Sequence, residues 1–363
     1  MKYKISEIGK VVGGGTPSTK HAEYYSKNGI AWITPKDLSD YHKKYIGHGA
    51  KDISEEGLKN SSAKLLPVDS ILVSSRAPIG YVAMAGTDLA TSQGFKSIVP
   101  NTSKVMPEYL YYLMLKSKDK LEQIASGSTF KEISGKGMSN FTVDIPELKE
   151  QKEIVQKLNP IFKKIEENNR INDNLLELAK AVFNKNVNSC SKTLLSNYFL
   201  PKRGKNLVKK NVIPGAIPVI AGGMIPAAFH NKSNTMAPVI TISASGANAG
   251  YVQIWGIRVW SSDSSFIDES VSNNIYFWYL LLKKYQKQIY ESQTGSAQPH
   301  IYPKNIGNLL IPVVSDETRL NINEKVKPIF NNIFENKHEN NLLNNLKIIL
   351  LEKYFWNVKL SFS

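Results

Sequence analysis

From Ile154 onward a mostly apolar series recurs at alternating steps of four and three: Ile154, Leu158, Ile161, Ile165, Asn168, Asn172, Leu175, Ala179, Val182. The mean step is about 3.5 residues, the period of a helix packed along one seam against a partner helix. A second series, Ile322, Val326, Ile329, Ile333, Asn336, Asn340, Leu343, Lys347, Leu350, places every member 168 residues after its counterpart. Two asparagines hold the same seam positions in both series, and Pro160-Ile161-Phe162 recurs as Pro328-Ile329-Phe330. Self-similarity at a fixed spacing marks a structural repeat. The chain reads as a tandem duplication in which each copy ends in a long amphipathic helix. The pattern predicts helices over 147–190 and 313–357, with a short tail at 358–363.

Ahead of each helix lies a stretch with the grammar of a globular module, 1–146 and 191–312. In the first, short apolar runs predict strands at 30–34, 71–75 and 81–84. A helix is expected at 108–115, behind Pro107 in its first turn, and a closing strand at 141–146. The second module repeats this order: strands at 240–243 and from 250, a helix at 276–282, and a strand at 309–312. Gly86 is matched by Gly256, and Thr91-Ser92 by Ser261-Ser262. The loops between these elements differ. A shared skeleton with different loops points to one task performed on two targets, because recognition residues concentrate in loops. The expected fold class is α+β (mixed α/β): two tandem modules separated by two long antiparallel coiled-coil helices, related as a pseudo-two-fold internal repeat.

A helix of this length, about 60 Å at ~1.5 Å per residue, has no core of its own. Its copy is the natural partner. The pairing residues are Ile154, Leu158, Ile165, Asn168, Asn172 and Leu175 against Ile322, Val326, Ile333, Asn336, Asn340 and Leu343. A pseudo-two-fold axis makes the helices antiparallel and sets Asn168 near Asn340 and Asn172 near Asn336. Parallel pairing would also match the polar layers, so the asparagines alone leave direction open. Seam asparagines fix register at some loss of stability. Pro160 and Pro328 are expected to kink their helices. Apolar residues off the seam imply a second set of contacts, and the faces bearing Leu176, Leu178 and Phe183 are expected to dock other subunits. A plain strut or dimerisation coiled coil is the simpler alternative.

Composition narrows the field. The 363 residues carry 46 Lys and Arg against 31 Asp and Glu, a net charge of +15. Such an excess attracts polyanions, nucleic acid first; a Lys- and Asn-rich codon bias would produce the same excess. The single cysteine, Cys190, permits no internal disulfide, which fits a reducing cytoplasm. No apolar run follows Met1-Lys2-Tyr3-Lys4, so no signal peptide is expected, and no stretch approaches the ~20 apolar residues that span a bilayer.

Catalytic signatures are not found. There is no G-x-x-x-x-G-K-[ST], and Gly13-Gly14-Gly15 lacks a flanking βαβ pattern. Asn159-Pro160-Ile161-Phe162 only partly follows the N-P-P-[YF] motif of amino-methyltransferases, and its repeat has Lys327 in place of the asparagine. No Cys or His cluster has metal-ligand spacing, so no metal is expected. The residues suited to DNA are polar and cationic side chains on loops: Lys20, Lys36, Ser75, Arg76, Ser92, Gln93, Ser128, Thr129 and Lys131 in the first module. In the second they are Lys202, Arg203, Ser243, Ser245, Asn248, Gln298 and His300. Arginine suits guanine O6 and N7, and short polar loops suit phosphates and base edges.

These stretches carry a family resemblance. Gly14-Gly15-Thr16-Pro17-Ser18 and Ile30-Ala31-Trp32-Ile33-Thr34-Pro35-Lys36-Asp37-Leu38 resemble the opening of a target-recognition domain of the specificity (S) subunit of Type I restriction–modification systems. Ser75-Arg76-Ala77-Pro78-Ile79-Gly80 and Ser92-Gln93-Gly94-Phe95 resemble further signatures of that domain, and 146–155 resembles the start of its spacer helix. The second half departs from the pattern, with Ala221-Gly222-Gly223 and Ser243-Ala244-Ser245-Gly246 where the G-G-T-P-S opening is lacking. The resemblance implies a non-catalytic subunit whose two domains each read half of a split target in double-stranded DNA. Its helices would set the gap and dock two methyltransferase (M) subunits, with restriction (R) subunits joining. It also implies that this chain binds no cofactor, S-adenosylmethionine and ATP being used by the partners. A module of another methylation-linked defence system, or a protein-interaction scaffold that does not bind DNA, stands as the alternative.

Overall fold

The computed structural model describes residues 1–39, 41, 43–76, 78–127, 131–187, 190–295 and 298–355. The chain divides into two compact units, Met1–Glu167 together with the stretch from Asn341, and Asn168–Asn340. Both chain crossings fall inside the long helices, Leu148–Asn186 and Asp316–Phe355. Both helices run unbroken through their prolines, Pro160 and Pro328. Among the described residues, no helix is long and apolar enough to cross a membrane.

The first unit is built on a five-stranded sheet in the order Gly9–Gly13, Lys96–Pro100, Ile71–Val73, Val82–Ala85, Tyr45–Ile46. Ile71, Leu72 and Val73 are fully buried, because both faces of the strand are covered. A second sheet joins Tyr25–Ser26, Lys51–Ile53, Ile30–Ile33 and Ala90–Thr91. The helix Pro107–Lys116 starts at its proline as expected and buries Tyr109 through Met114. The second unit repeats the plan. Lys202–Arg203, Ser264–Ile267, Val239–Ser243 and Val252–Trp255 form one sheet; Ala228–His230, Ile217–Ile220 and Trp260–Ser261 form the other. The helix Ile275–Lys284 takes the place of Pro107–Lys116. In each unit a two-stranded pair closes the module, Lys2–Lys4 with Thr142–Asp144 and Lys192–Leu194 with Leu310–Pro312.

The repeated Pro-Ile-Phe has a packing reason. In the first unit Phe162 meets the Tyr112 ring at 4.8 Å and the Tyr111 ring at 6.2 Å. In the second, Phe330 stacks on Tyr276 at 5.1 Å and meets Tyr279 edge-on at 5.5 Å. Each phenylalanine thus locks a long helix onto the aromatic helix of its own module, with offset and edge contacts that add to plain area burial. Phe183, near the end of the first long helix, packs instead on the second module's aromatic helix, meeting Phe277 at 5.4 Å, and is only 2% exposed. This corrects the expectation that Phe183 lies on an outward docking face: it faces the module core. Leu176 also packs against that core, whereas Leu178 remains exposed.

The seam residues occupy the positions that the period requires. In the first unit Ile154 and Leu158 are buried together with Phe355 and packed against Leu350 and Leu351; Ile165 and Leu343 are half-buried. In the second, Leu175 and Val182 pack into the cluster that buries Ile322, Val326 and Ile333. There Asn168 Nδ2 donates to Asn340 Oδ1 (3.0 Å) and to Glu339 Oε2 (2.6 Å). Asn336 Nδ2 donates to Asn172 Oδ1 (2.9 Å), and Asn340 Nδ2 to Asn169 Oδ1 (2.8 Å). Rising numbers on one helix meet falling numbers on the other, so the pairing is antiparallel. The polar layer answers the question of direction that the sequence left open.

Asn340→Ala removes a hydrogen-bond partner from the fully buried Asn168, and urea denaturation is expected to show a loss of about 1–3 kcal/mol. Leucine at both 168 and 340 is expected to cost less than Asn340→Ala, since neither buried amide is then left without its partner, although Asn169 and Glu339 each lose one bond.

Candidate nucleic-acid interface

The first module is fastened to its helix by a small polar knot. Lys44 Nζ donates to Asn159 Oδ1 (2.9 Å), as does the Tyr112 hydroxyl (2.5 Å), and Glu108 lies 4.0 Å from the ammonium. Lys44 also sits over the Tyr45 and Tyr112 rings, 5.3 and 5.5 Å from their centroids. Burial pushes the Lys44 pKa down, partly offset by Glu108, and burial pushes that of Tyr112 up. Asn159, whose context faintly matched a methyltransferase motif, is therefore a structural fastener.

Five loops of the first module converge. A Cβ on Gly94 would lie 2.9 Å from Pro35 and 3.8 Å from Arg76, so the loops bearing Lys36, Gln93 and Arg76 touch. The backbone N–H of Gln93 donates to Thr16 in the opening loop (3.4 Å). Glu132, beside Lys131, pairs with Arg76 (3.5 Å) and Lys96 (3.1 Å). Lys20, Lys36, Gln93 and Lys131 are exposed. Ser128 and Thr129 lie outside the described residues.

The second module shows the same convergence with other residues. Arg203 Nη2 donates to Asp263 Oδ1 (3.0 Å), and Ser245 Oγ bonds to the other oxygen of Asp263. The Arg203 guanidinium lies 5.8 Å from the Tyr302 ring, which stacks on His300 at 6.1 Å. Ser245 and His300 form a backbone bridge, and Gly246 N–H donates to Pro299, next to the exposed Gln298. Asn248 is half-buried on the same loop. Lys202 points elsewhere, its ammonium held by Ser270 at 2.9 and 3.1 Å, because neighbouring side chains of a strand face opposite ways.

Some expected contact residues belong to the framework instead. Ser75, Ser92 and Ser243 are buried, so their side chains do not reach the surface. Ser75 N–H donates to Gly94 and Ser75 C=O accepts from Ile133; Ser243 Oγ donates to Gly222 C=O (2.9 Å). They sit where strands end, and small hydroxyls fit the tight backbone crossings there. Conversely, Glu132, Lys96, Asp263 and Tyr302 were not singled out. A search for cations and small polar residues passes over the carboxylates that orient them.

Equivalent backbone bonds fix the correspondence between modules. Gly15 N–H donates to Thr91 (2.9 Å), and Lys205 N–H to Ser261 (2.9 Å); Ser92 N–H donates to Ile33 and Ser262 N–H to Ile220, both 2.8 Å. The counterpart of Gly14-Gly15 is thus Gly204-Lys205. Ala221-Gly222-Gly223, read as the substitute for that opening, follows strand Ile217–Ile220 and answers Thr34-Pro35-Lys36. An indole spans the same gap from opposite strands. Trp32, paired with Ala90, donates to Gly15 C=O (3.0 Å); Trp260, paired with Val219, donates to Lys205 C=O (2.8 Å).

The comparisons agree with this duplicated plan. The family model described as Type I restriction modification DNA specificity domain matches residues 1–177 and 201–345. The chain is 29% identical to the Type I restriction enzyme MjaIX specificity subunit of Methanocaldococcus jannaschii, over 96% of this chain and 91% of that protein. It is 29% identical to the EcoR124I/EcoR124II specificity subunit of Escherichia coli over 42% of this chain and 38% of that one. Its fold is similar to the crystal structure of a Type-I restriction-modification S subunit from M. genitalium, with TM-score 0.62, 18% identity, and 97% and 95% of the two chains covered. With both modules matched over most of this chain's length, the chain belongs to the family of the Type I restriction modification DNA specificity domain.

Proposed function

We propose that this chain is the DNA sequence-recognition subunit of a Type I restriction–modification complex. The observation that carries the reading is the doubled site: each family-matched module gathers an arginine–carboxylate pair and exposed polar loops on one framework, in a chain of net charge +15. The recognition domains are 1–146 and 191–312, and each reads one half of a bipartite target in double-stranded DNA. Partly exposed ion pairs cost little to open, so Arg76 and Arg203 are oriented yet free to exchange a carboxylate for a phosphate or a guanine edge.

The chain serves as the non-catalytic member of its complex, in the cytoplasm. The paired helices act as the spacer between half-sites. Two methyltransferase subunits dock on exposed apolar helix faces, for which Leu178 and its repeat counterpart Leu346, flanked by Leu342 and Ile349, are suited. Restriction subunits complete the assembly. S-adenosylmethionine and ATP are used by those partners, and this chain binds neither.

Mapping N6-methyladenine genome-wide with and without the gene tests the proposal; loss of one split motif is expected, and an unchanged methylome would sink it. Residues 169–175 and 333–339 face each other across the seam, given that Asn168 meets Asn340 and Asn172 meets Asn336. Deleting both heptads removes about 10 Å of helix. The methylated motif is then expected to keep its half-sites and lose about 3 base pairs of gap, at ~3.4 Å per pair. Arg203→Ala is expected to weaken duplex binding and reduce the slope of log affinity against log salt by about 1, with an unchanged melting temperature.

A further inference from the structure

The turn between strands Ile217–Ile220 and Ala228–His230 carries the most exposed large apolar side chain of the described residues, Ile225 at 76%, beside Met224 at 49%. This turn is held from below rather than loose. Ser243 Oγ donates to Gly222 C=O (2.9 Å), and Gln253 Nε2 donates to Met224 C=O (2.6 Å). A Cβ on Gly222 would lie 2.6 Å from the Ser245 carbonyl oxygen, so the backbone presses against the residue that holds Asp263 and, through it, Arg203. A run of basic residues, Lys202, Arg203, Lys205, Lys209 and Lys210, is a neighbour on the other side: Ser262 N–H donates to Ile220, and Ser262 Oγ accepts from Leu207, between Lys205 and Lys209. Two aliphatic side chains are thus displayed at the margin of a cationic surface, on a fixed backbone.

We propose that Met224 and Ile225 are specificity-determining residues of the second domain that pack against the C5 methyl of a thymine in the major groove. Thymine is the one base that presents a methyl group there, and apolar side chains read it by contact. The surrounding cations select a polyanion as the occupant, which favours a duplex over an apolar protein face. The first domain makes the contrast: the equivalent turn holds Pro35-Lys36-Asp37, with Asp37 accepting from the backbone and hydroxyl of Thr34 (2.7 and 2.6 Å) and Lys36 exposed. The segment leaving the same framework strand therefore offers a hydrogen-bond donor in one copy and an aliphatic tip in the other. The inference rests on the DNA-recognition reading above.

The test uses the chain assembled with its methyltransferase subunits and duplexes bearing the methylated motif. Uracil replaces thymine at each A·T pair in turn, which removes only the methyl group. The native complex is expected to lose about three- to tenfold in affinity at one such pair. With Met224→Ala and Ile225→Ala together, the thymine duplex is expected to bind as weakly as the uracil duplex, with no further loss on substitution. A Met224→Leu, Ile225→Val complex is expected to keep the thymine preference. A native complex indifferent to uracil at every pair overturns the proposal. So does an alanine variant that keeps the full thymine preference, or one that instead fails to assemble with its partner subunits. If the native chain directs no methylated motif, the recognition reading fails first and this assignment falls with it; a clear motif with no methyl sensitivity sinks the tip alone.

Discussion

Asn168 and Asn340 meet inside a mostly aliphatic seam, and the register of the paired helices follows from that contact. A buried amide has one low-cost state, the one in which another polar group stands opposite it. Sliding by a turn in one direction would set Asn168 against Leu343, and in the other would set Asn172 against Ile333, so either slip strands an amide. The same layer admits Asn172 opposite Asn336 only when the helices run in opposite directions. A register fixed to one residue is what a spacer needs, and apolar seam residues alone would tolerate shifts that an amide does not.

Given that register, the phenylalanines decide how each module sits on its helix. Phe162 and Phe330 occupy repeat-equivalent positions and enter equivalent aromatic clusters, Tyr111 and Tyr112 in one unit, Tyr276 and Tyr279 in the other. Lys347 shows how firmly the plan is held. It takes a seam position where the first copy has Ala179, and its ammonium settles over the Phe162 ring at 5.3 Å. Burial lowers its pKa, a cost the geometry keeps small through the cation–π contact.

The long helices and the strands Ile71–Val73, Val82–Ala85 and Val239–Ser243 were legible in sequence, because a strict period or a continuous apolar run leaves one reading. Strands Gly9–Gly13 and Lys96–Pro100 were not. Their pairing, Lys96 opposite Gly13 and Pro100 opposite Gly9, joins segments more than eighty positions apart, and neither segment alternates cleanly. The site was legible as a set of loops rather than as atoms. Arg76, Arg203, Ser245 and His300 do lie where loops meet. Ser75 and Ser243, chosen by residue type, turned inward because a hydroxyl at a strand end serves the backbone as readily as a ligand. The exchange of Trp32 for Trp260 could not be seen in an alignment, since the indole moves to the neighbouring strand while its acceptor stays put.

That exchange shows what such a fold conserves. The acceptor carbonyls of Gly15 and Lys205 are equivalent, and so are the backbone bonds around Ser92 and Ser262. The side chains that satisfy or surround them are not. The same holds for the arginine–carboxylate pair, assembled from positions 76 and 132 in one module and 203 and 263 in the other. A guanidinium at this junction must be oriented to be useful, and an adjacent carboxylate orients it without burying it. Nothing in that requirement specifies which strand supplies either partner. The framework can therefore stay constant, with its register and aromatic locks, while the loops above exchange donors, acceptors and apolar tips. Two copies in one chain have diverged in this way, most plainly in the segments that bear Lys36 and Ile225, and a duplicated reader with one unchanged frame is suited to two unlike half-sites.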